Sequence, residues 1–413
     1  MSRDAFVASK LREAGAILLG KTNLGQWASM RSTTISSGWS SYGGQAVAAY
    51  HPHQDASRSS SGSGVAVDLG FALAALGTET DGSIINPSHR SGIVGIKPTV
   101  GLTSRDLVVP ISERQDTVGP MTRSVKDAAT ILQVIAGEDS NDNYTSAIPD
   151  IPDYVAACDV HAVQGARIGV PWNVIELMKT DALAPEIEAF NTALQLLGDA
   201  GAVIVDAELT MAEEAMADKG QDIVLNADFI VNLAYYLSQL SSNPNDVHTL
   251  ADVREFTHRT KEERWPEYGT EIWDEALDIQ GWNNTDPRFW PVYQRNLLLQ
   301  GEGGVLGAIE RHSLSAIVLP TSMASHWSAQ SGAPIVTVPM GFHPADAQVT
   351  YHKRGNLVDT GPMVPFGLSF LGKHWTEEAL IGLAYGYEQR TTVRGQVRPW
   401  IRPSVEVGDF AGF

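Results

Sequence analysis

Two serines, 24 positions apart, are the residues of this sequence whose type and setting are best suited to chemistry. Ser59 lies in the segment ASRSSSGSG (residues 56–64), and Ser83 lies in the segment GTETDGSI (residues 77–84). A serine hydroxyl is a poor nucleophile at neutral pH and needs a base in contact, together with main-chain N–H donors aimed at the developing oxyanion. The pattern therefore makes both serines candidates for acyl transfer, in which one serine attacks a carbonyl group and a neighbouring hydroxyl can relay its proton.

The oxyanion donors predicted for this segment are the consecutive main-chain amides of Thr80, Asp81, Gly82 and Ser83. Composition alone allows another interpretation, because segments rich in serine and glycine are commonly flexible linkers. The fixed spacing of the two serines, and the ordered segments SGIVGIKPTVGLTSR (residues 91–105) and QDTVGPMTR (residues 115–123) that follow, favour a structured site over a linker.

These segments resemble the amidase signature family, and the form GTETDGS is similar to one microbial branch of it. The resemblance covers nearly the whole chain and is most specific over residues 4–136. It includes the upstream segment LREAGAILLGKTN (residues 11–23) and the downstream segments GAPIVTVPMG (residues 332–341) and FGLSFLG (residues 366–372).

The resemblance implies a hydrolase with a Ser-Ser-Lys triad that cleaves an amide or ester bond of a small molecule. Ser83 falls on the nucleophile, and Ser59 falls on the bridging serine, whose peptide bond is cis in the family. Arg58 stands where the family has glycine, and we expect it either to narrow or recharge the site or to form a structural ion pair. The candidates for oxyanion or substrate binding are Arg58, Ser60, Thr80, Asp81 and Gly82.

The family lysine lies upstream of the bridging serine, in a Lys-Asp motif that this sequence does not include. Lys21 and Lys97 occupy segments where the family has lysines without a catalytic role, so we predict structural roles for both. Two interpretations stay open: the sequence is a shortened product, or its chemistry differs. In the second case the protein is a catalytically disabled or repurposed member that binds a small molecule or a partner, or performs a non-hydrolytic conversion.

The elements that position the serines predict an α/β fold, a single large domain with a mixed central β-sheet flanked by helices. We divide it into a motif-bearing part (residues 1–139), a variable, substrate-shaping part (140–310) and a closing part (311–413). The predicted helices are 4–14, 66–76, 125–136, 186–197 and 377–390, with a mainly helical stretch at 222–310. The predicted strands are 16–19, 92–99, 168–170, 202–205, 317–320, 335–339 and 366–371.

Composition restricts the partners. A formal net charge of −19 disfavours nucleic acid, whose binding depends on Lys and Arg displacing counterions. No apolar run reaches the length of a membrane span, and the start lacks a signal-peptide pattern, so we predict a cytoplasmic protein. The resemblance also predicts an exposed groove or sheet edge near Ser83, which a second subunit of a homo-oligomer could cover.

No cofactor or metal is predicted. GAILLGKT (residues 15–22) matches a phosphate-binding pattern, but a helix is predicted before it and the intervening residues are strand-like, which is the wrong context for such a loop. The segment HPH (residues 51–53) has no accompanying carboxylate or thiol ligands, and Cys158 is the single cysteine.

Overall fold

The computed structural model describes residues 1–405 and centres on an eight-stranded mixed sheet. The strands of the described residues, in chain order, are β1 (Trp39–Ser40), β2 (Gly44–Gln45), β3 (Val47–Ala48), β4 (Gln54–Asp55), β5 (Ala74–Glu79), β6 (Val94–Lys97), β7 (Thr117–Thr122), β8 (Arg167–Val170), β9 (Val203–Asp206), β10 (Ala316–Pro320), β11 (Ile335–Phe342), β12 (Thr350–Tyr351), β13 (Val358–Thr360) and β14 (Pro365–Leu371). The strand order of the main sheet is β5-β7-β6-β11-β14-β10-β8-β9, and the short strands form two small sheets beside it.

Neighbouring strands are antiparallel from β5 to β10, whereas β10, β8 and β9 run parallel. The parallel pair β8 and β9 is joined through a helix, as the predicted β-α-β pattern requires. Strands β11 and β14 lie in the middle of the sheet and carry mainly buried apolar residues, because helices cover them. All three predicted parts of the chain contribute strands to this one sheet.

Helices surround the sheet and form a separate group between β9 and β10. The α-helices of the described residues are α1 (Phe6–Glu13), α2 (Ser61–Asp68), α3 (Ile85–Arg90), α4 (Val125–Ile135), α5 (Trp172–Met178), α6 (Ala184–Asp199), α7 (Ala212–Ala217), α8 (Gly220–Ser238), α9 (Leu250–Arg259), α10 (Glu271–Asp274), α11 (Phe289–Leu297), α12 (Val305–His312), α13 (His326–Ala329) and α14 (Glu377–Thr391). Helices α4, α6 and α14 pack on the sheet and share its main apolar core. No helix in residues 1–405 is long and apolar enough to cross a membrane.

Two sequence predictions of local structure are wrong. Residues 16–19 form no strand, and the side chains of Ile17 and Leu19 are 85% and 71% exposed; a strand needs a hydrogen-bonded neighbour, and no described strand pairs with them. The small-residue stretch 66–76 is divided between the end of α2 and the start of β5. Pairing of β5 with β7 overrides the helical propensity of its alanines.

Strand β5, which leads towards Ser83, lies at one edge of the main sheet within the described residues. The end of this edge strand next to Ser83 is not exposed, because Glu79 is buried and the Ser60 hydroxyl bonds to the main chain of Thr78. Self-association through this edge stays a prediction.

Candidate active site

Ser83 lies in a tight loop between β5 and α3. The buried carboxylate of Glu79, the last residue of β5, accepts hydrogen bonds from the main-chain N–H groups of Ile84 (2.6 Å) and Ile85 (2.9 Å). Burial raises the pKa of Glu79, although the two N–H donors oppose the rise. This closure of residues 79–85 determines where the Ser83 hydroxyl is held.

Ser59 contacts Ser83 through its main-chain N–H group. The N–H of Ser59 donates a hydrogen bond to Ser83 Oγ at 3.3 Å, so the two predicted catalytic serines are neighbours. The hydroxyl of Ser59 is buried and has no hydrogen-bond partner among the described residues. The contact between the serines is thus made by an amide of Ser59, and a direct hydroxyl-to-hydroxyl hydrogen bond is not formed.

The turn before Ser59 differs from the expectation drawn from the family. Within residues 1–405 the cis peptide bond lies between Trp265 and Pro266, so the bond between Arg58 and Ser59 is trans and the prediction of a cis bond is wrong for this structure. Instead, Ser57 and Arg58 both have left-handed backbone conformations, with φ of +64° and +48°. Ser59 therefore enters the site through a sharp turn.

Neighbouring segments hold the main chain of Ser59 from both sides. The carbonyl group of Ser59 accepts from Gly25 N at 2.9 Å. A Cβ atom on Gly62 would lie 2.5 Å from Asn23 N, so only glycine permits the close approach of these two segments. The hydroxyl of Ser60 both donates to the carbonyl group and accepts from the N–H of Thr78, each at 3.0 Å. Ser60 was predicted to bind substrate, but its hydroxyl ties this segment to β5.

Main-chain donors next to Ser83 are available. Gly82 has φ of +79°, and the N–H groups of Asp81, Gly82 and Ser83 have no hydrogen-bond acceptor among residues 1–405. Main-chain N–H groups in folded proteins are nearly always paired, so three consecutive unpaired donors are unusual. These three N–H groups are those of Ser83 and of the two residues before it in the chain.

The side chain of Thr80 is engaged elsewhere, so it serves as an anchor of the loop. Its hydroxyl donates to Asp116 Oδ1 at 2.5 Å, and the other oxygen of Asp116 accepts from the main-chain N–H groups of Ile111 (2.7 Å) and Ser112 (3.0 Å). Burial raises the pKa of Asp116 to about 6. Asp116 thereby joins the Ser83 loop to the segment that precedes β7.

The side chain of Asp81 contacts two residues outside the Ser83 loop. Its Oδ2 accepts from Gln221 Nε2 at 3.1 Å and lies 3.7 Å from His326 Nδ1. Burial would raise the pKa of Asp81, but the neighbouring imidazole of His326 and the charge of Arg58 outweigh it and hold the pKa below its ordinary value. Arg58 is itself exposed, and its charge lowers the pKa of Asp81.

Sequence reasoning missed the roles of Asp116, Gln221 and His326. Asp116 lies in the segment 115–123, to which no site role was assigned, and Gln221 and His326 are single polar residues in segments without a recognisable motif. No three His, Cys, Asp or Glu side chains within the described residues are grouped to hold a metal ion.

No lysine within residues 1–405 is hydrogen-bonded to the Ser59 hydroxyl. Lys21 is exposed. Lys97 is fully buried and donates to the carbonyl group of Ala333 at 2.6 Å, as expected for a structural lysine. Burial lowers the pKa of Lys97 to about 8, against the attraction of Glu79 and Glu377.

Comparison with known proteins identifies the family of this chain. The family model described as Amidase matches residues 1–275. A putative amidase of Arthroderma benhamiae is 53% identical over 409 residues, covering 98% of this chain and 68% of that protein. A probable amidase of Arabidopsis thaliana is 35% identical, covering 95% of this chain and 72% of that protein.

Among solved structures, the native peptide amidase of Stenotrophomonas maltophilia superposes with a TM-score of 0.83 at 36% identity, covering 97% of this chain and 78% of that one. A peptide amidase in complex with the competitive inhibitor chymostatin gives a TM-score of 0.83 at 35% identity, covering 96% and 78%. The mixed α/β architecture and the catalytic class are those of an amide-cleaving hydrolase. The chain belongs to the amidase family, the amidase signature enzymes, which confirms the predicted fold class and enzyme class.

Proposed function

We propose that Ser83 is the nucleophile of an amide hydrolysis and that the main-chain amides of residues 81–83 bind the oxyanion. The observation that carries this proposal is the position of Ser83 Oγ, which is held by Ser59 N at 3.3 Å beside three N–H groups without a protein acceptor. Donors aimed at a developing oxyanion are commonly the largest single contribution to acyl transfer, with each donor contributing about 10²- to 10³-fold in rate.

The reaction proceeds in two stages. Ser83 Oγ attacks the amide carbon and gives up its proton, the carbonyl oxygen becomes an oxyanion at residues 81–83, and the amine leaves as it takes up a proton through the Ser59 hydroxyl. Water then attacks the acyl-enzyme ester, releases the acid and restores the proton to Ser83.

The Ser59 hydroxyl is suited to the relay because it is buried and unpartnered. An unsatisfied buried polar group costs about 1–3 kcal/mol, which a contact with a base or with the substrate would recover. Neither Lys21 nor Lys97 contacts it. We infer that the base acting through Ser59 is not a lysine of residues 1–405.

The substrate that we propose is a small amide, and the carboxamide of a peptide is the first compound to test. Support comes from two solved structures of peptide amidases that share 35% and 36% identity with this chain. The net charge of −19 also supports a substrate other than nucleic acid.

Labelling with a serine-directed fluorophosphonate tests the proposal, because this reagent needs less help from a base than an amide does. We expect stoichiometric modification of Ser83, located by peptide mass spectrometry, and none in Ser83→Ala. The matched control is Ser146→Ala, whose exposed hydroxyl bonds only to the carbonyl group of Asn143 in the structure; it should label as the unsubstituted protein does.

Hydrolysis of a peptide amide, measured in parallel, separates the alternatives. Labelling with slow amide turnover supports a Ser83 hydrolase that lacks an efficient base. Rapid amide turnover would show that the protein holds an efficient base, and so would contradict a hydrolase that lacks one. A folded protein without labelling would overturn the proposal in favour of the disabled or repurposed alternative.

A further inference from the structure

His326, the first residue of α13, lies between the loop of Ser83 and a buried glutamine. Its Nδ1 is 3.7 Å from Asp81 Oδ2. Its Nε2 is 3.0 Å from the side-chain amide of Gln300, which is completely buried. Both ring nitrogens of His326 therefore face polar partners, and the chemistry of those partners determines where its protons are.

The orientation of the Gln300 side-chain amide shows which ring nitrogen of His326 carries a hydrogen. The end of its amide group that lies away from His326 Nε2 is 3.2 Å from the carbonyl oxygen of Trp327 and 3.0 Å from that of His326. Carbonyl oxygens only accept hydrogen bonds, so the NH₂ of Gln300 must face them. The amide oxygen of Gln300 then faces His326 Nε2, which must carry a hydrogen.

The other ring nitrogen faces a carboxylate. A neutral imidazole that is protonated at Nε2 presents a lone pair at Nδ1, and that lone pair would oppose Oδ2 of Asp81. Only an imidazolium donates at both nitrogens. Oδ1 of Asp81 has no hydrogen-bond partner among the described residues, so loss of the His326 proton would leave this carboxylate with few donors.

We propose that His326 is a positioning residue, held as an imidazolium between Gln300 and Asp81, which fixes the loop that presents the main-chain donors of residues 81–83. This inference rests on the function proposed above for Ser83. Asp81 links the two, because its side chain contacts His326 and its own N–H is one of the unpaired donors.

Charged and polar groups from several elements face His326. Burial and the charge of Arg58 lower its pKa, whereas Asp81 and the carbonyl group of Ala215 in α7 raise it, and the net shift is upward. A histidine whose folded-state pKa is raised makes its charged contact fully below its ordinary value of about 6.5 and loses it as the pH rises through the raised pKa. The contact with Asp81 should therefore be complete below about pH 6.5 and be lost as the pH rises through the raised pKa of His326.

Imidazole NMR of histidine-labelled protein tests the inference without using activity. The His326 signal is assigned by its loss in His326→Gln, with His161→Gln, at an exposed site, as the control. We expect the titration midpoint of His326 to lie above its ordinary value of about 6.5, and to be lower in Asp81→Asn, an isosteric variant that removes the carboxylate charge. A midpoint of His326 at or below about 6.5, or a midpoint that Asp81→Asn leaves unchanged, would overturn the inference.

The rate of Ser83 labelling supplies the second readout. At pH 6 the unsubstituted protein should be labelled about tenfold faster than His326→Gln, which is the order of effect that a charge-assisted hydrogen bond supplies. Above the titration midpoint of His326 the two labelling rates should become equal. A ratio independent of pH would indicate a purely structural role and overturn the proposal. Absence of labelling in every protein would refute the proposed function of Ser83, while the NMR titration would still decide the state of His326.

Discussion

Replacing Gly82 by alanine perturbs the proposed oxyanion loop at its most constrained residue. Gly82 has φ of +79°, and a Cβ atom there would lie 2.5 Å from Asn86 Nδ2 and 3.0 Å from Ser325 Oγ. The left-handed conformation costs an alanine about 1–2 kcal/mol, and overpacking of this kind adds about 1–3 kcal/mol. We expect the loop to relax by moving its amides, so the cost should appear mainly in the rate.

The rate of Ser83 labelling by a fluorophosphonate measures this effect. Loss of one oxyanion donor costs about 10²- to 10³-fold, so we expect Gly82→Ala to label about 100-fold more slowly. Thermal unfolding followed by circular dichroism measures the cost that remains in stability. With an unfolding entropy of about 2.1 cal/mol/K per residue, a chain of 413 residues loses about 1 °C of Tm per kcal/mol, so the full cost would lower the Tm by about 2–6 °C and we expect a smaller drop.

Gly165→Ala is the matched control, because Gly165 has φ of +75° and nothing within 4 Å of its Cβ position. It carries the same backbone cost without the crowding, and we expect an unchanged labelling rate. Adding Asn86→Ala to Gly82→Ala removes the closest clash and should recover part of the Tm. If Gly82→Ala labels within twofold of the unsubstituted protein, the assignment of this loop as the oxyanion site is refuted.

Two further comparisons use residues that differ in their hydrogen bonds or burial. Ser59→Ala should leave the Tm within about 1 °C, because the Ser59 hydroxyl has no partner, and should slow labelling of Ser83 by at least about tenfold. Ser60→Ala loses two hydrogen bonds to Thr78 and should therefore cost about 1–3 kcal/mol of stability. The reverse order of Tm values would contradict both assignments. Arg31→Met should lower the stability of the protein by about 3–5 kcal/mol in thermal unfolding, because it leaves the buried charge of Glu263 without its ion-pair partner. Adding Glu263→Gln should restore part of that loss. An unchanged Tm in Arg31→Met would count against the proposed contribution of this ion pair.

The elements that were predicted correctly have local signatures. The helix predicted at 125–136 is observed as Val125–Ile135, and Ser124 caps it by accepting from Asp127 N. The strand predicted at 335–339 is observed as Ile335–Phe342, with an apolar run that suits a strand covered by helices. The errors at 16–19 and 66–76 lie where pairing with distant residues decides the structure, which local periodicity does not contain.

In the candidate site, too, only the part with a local sequence signature was predicted. Ser59 and Ser83 were proposed because two short segments at a fixed spacing carry them, whereas the groups that hold their loop come from elsewhere in the chain. Gln221, for example, lies 140 positions from its partner Asp81. Such contacts arise only when the sheet and the helices between β9 and β10 are assembled, so a single sequence does not reveal them.

The distribution of these contacts has a physical rationale. Unpaired main-chain donors are costly to maintain, so a loop that presents several of them tends to fold back on itself. Here Glu79 closes the loop at one end, Asp116 holds Thr80, and the carboxylate of Asp81 is held from outside by Gln221 and His326. Each of these contacts is made to a side chain or to an N–H group of a residue other than 81–83. The main-chain N–H groups of residues 81–83 therefore stay available for a substrate carbonyl group.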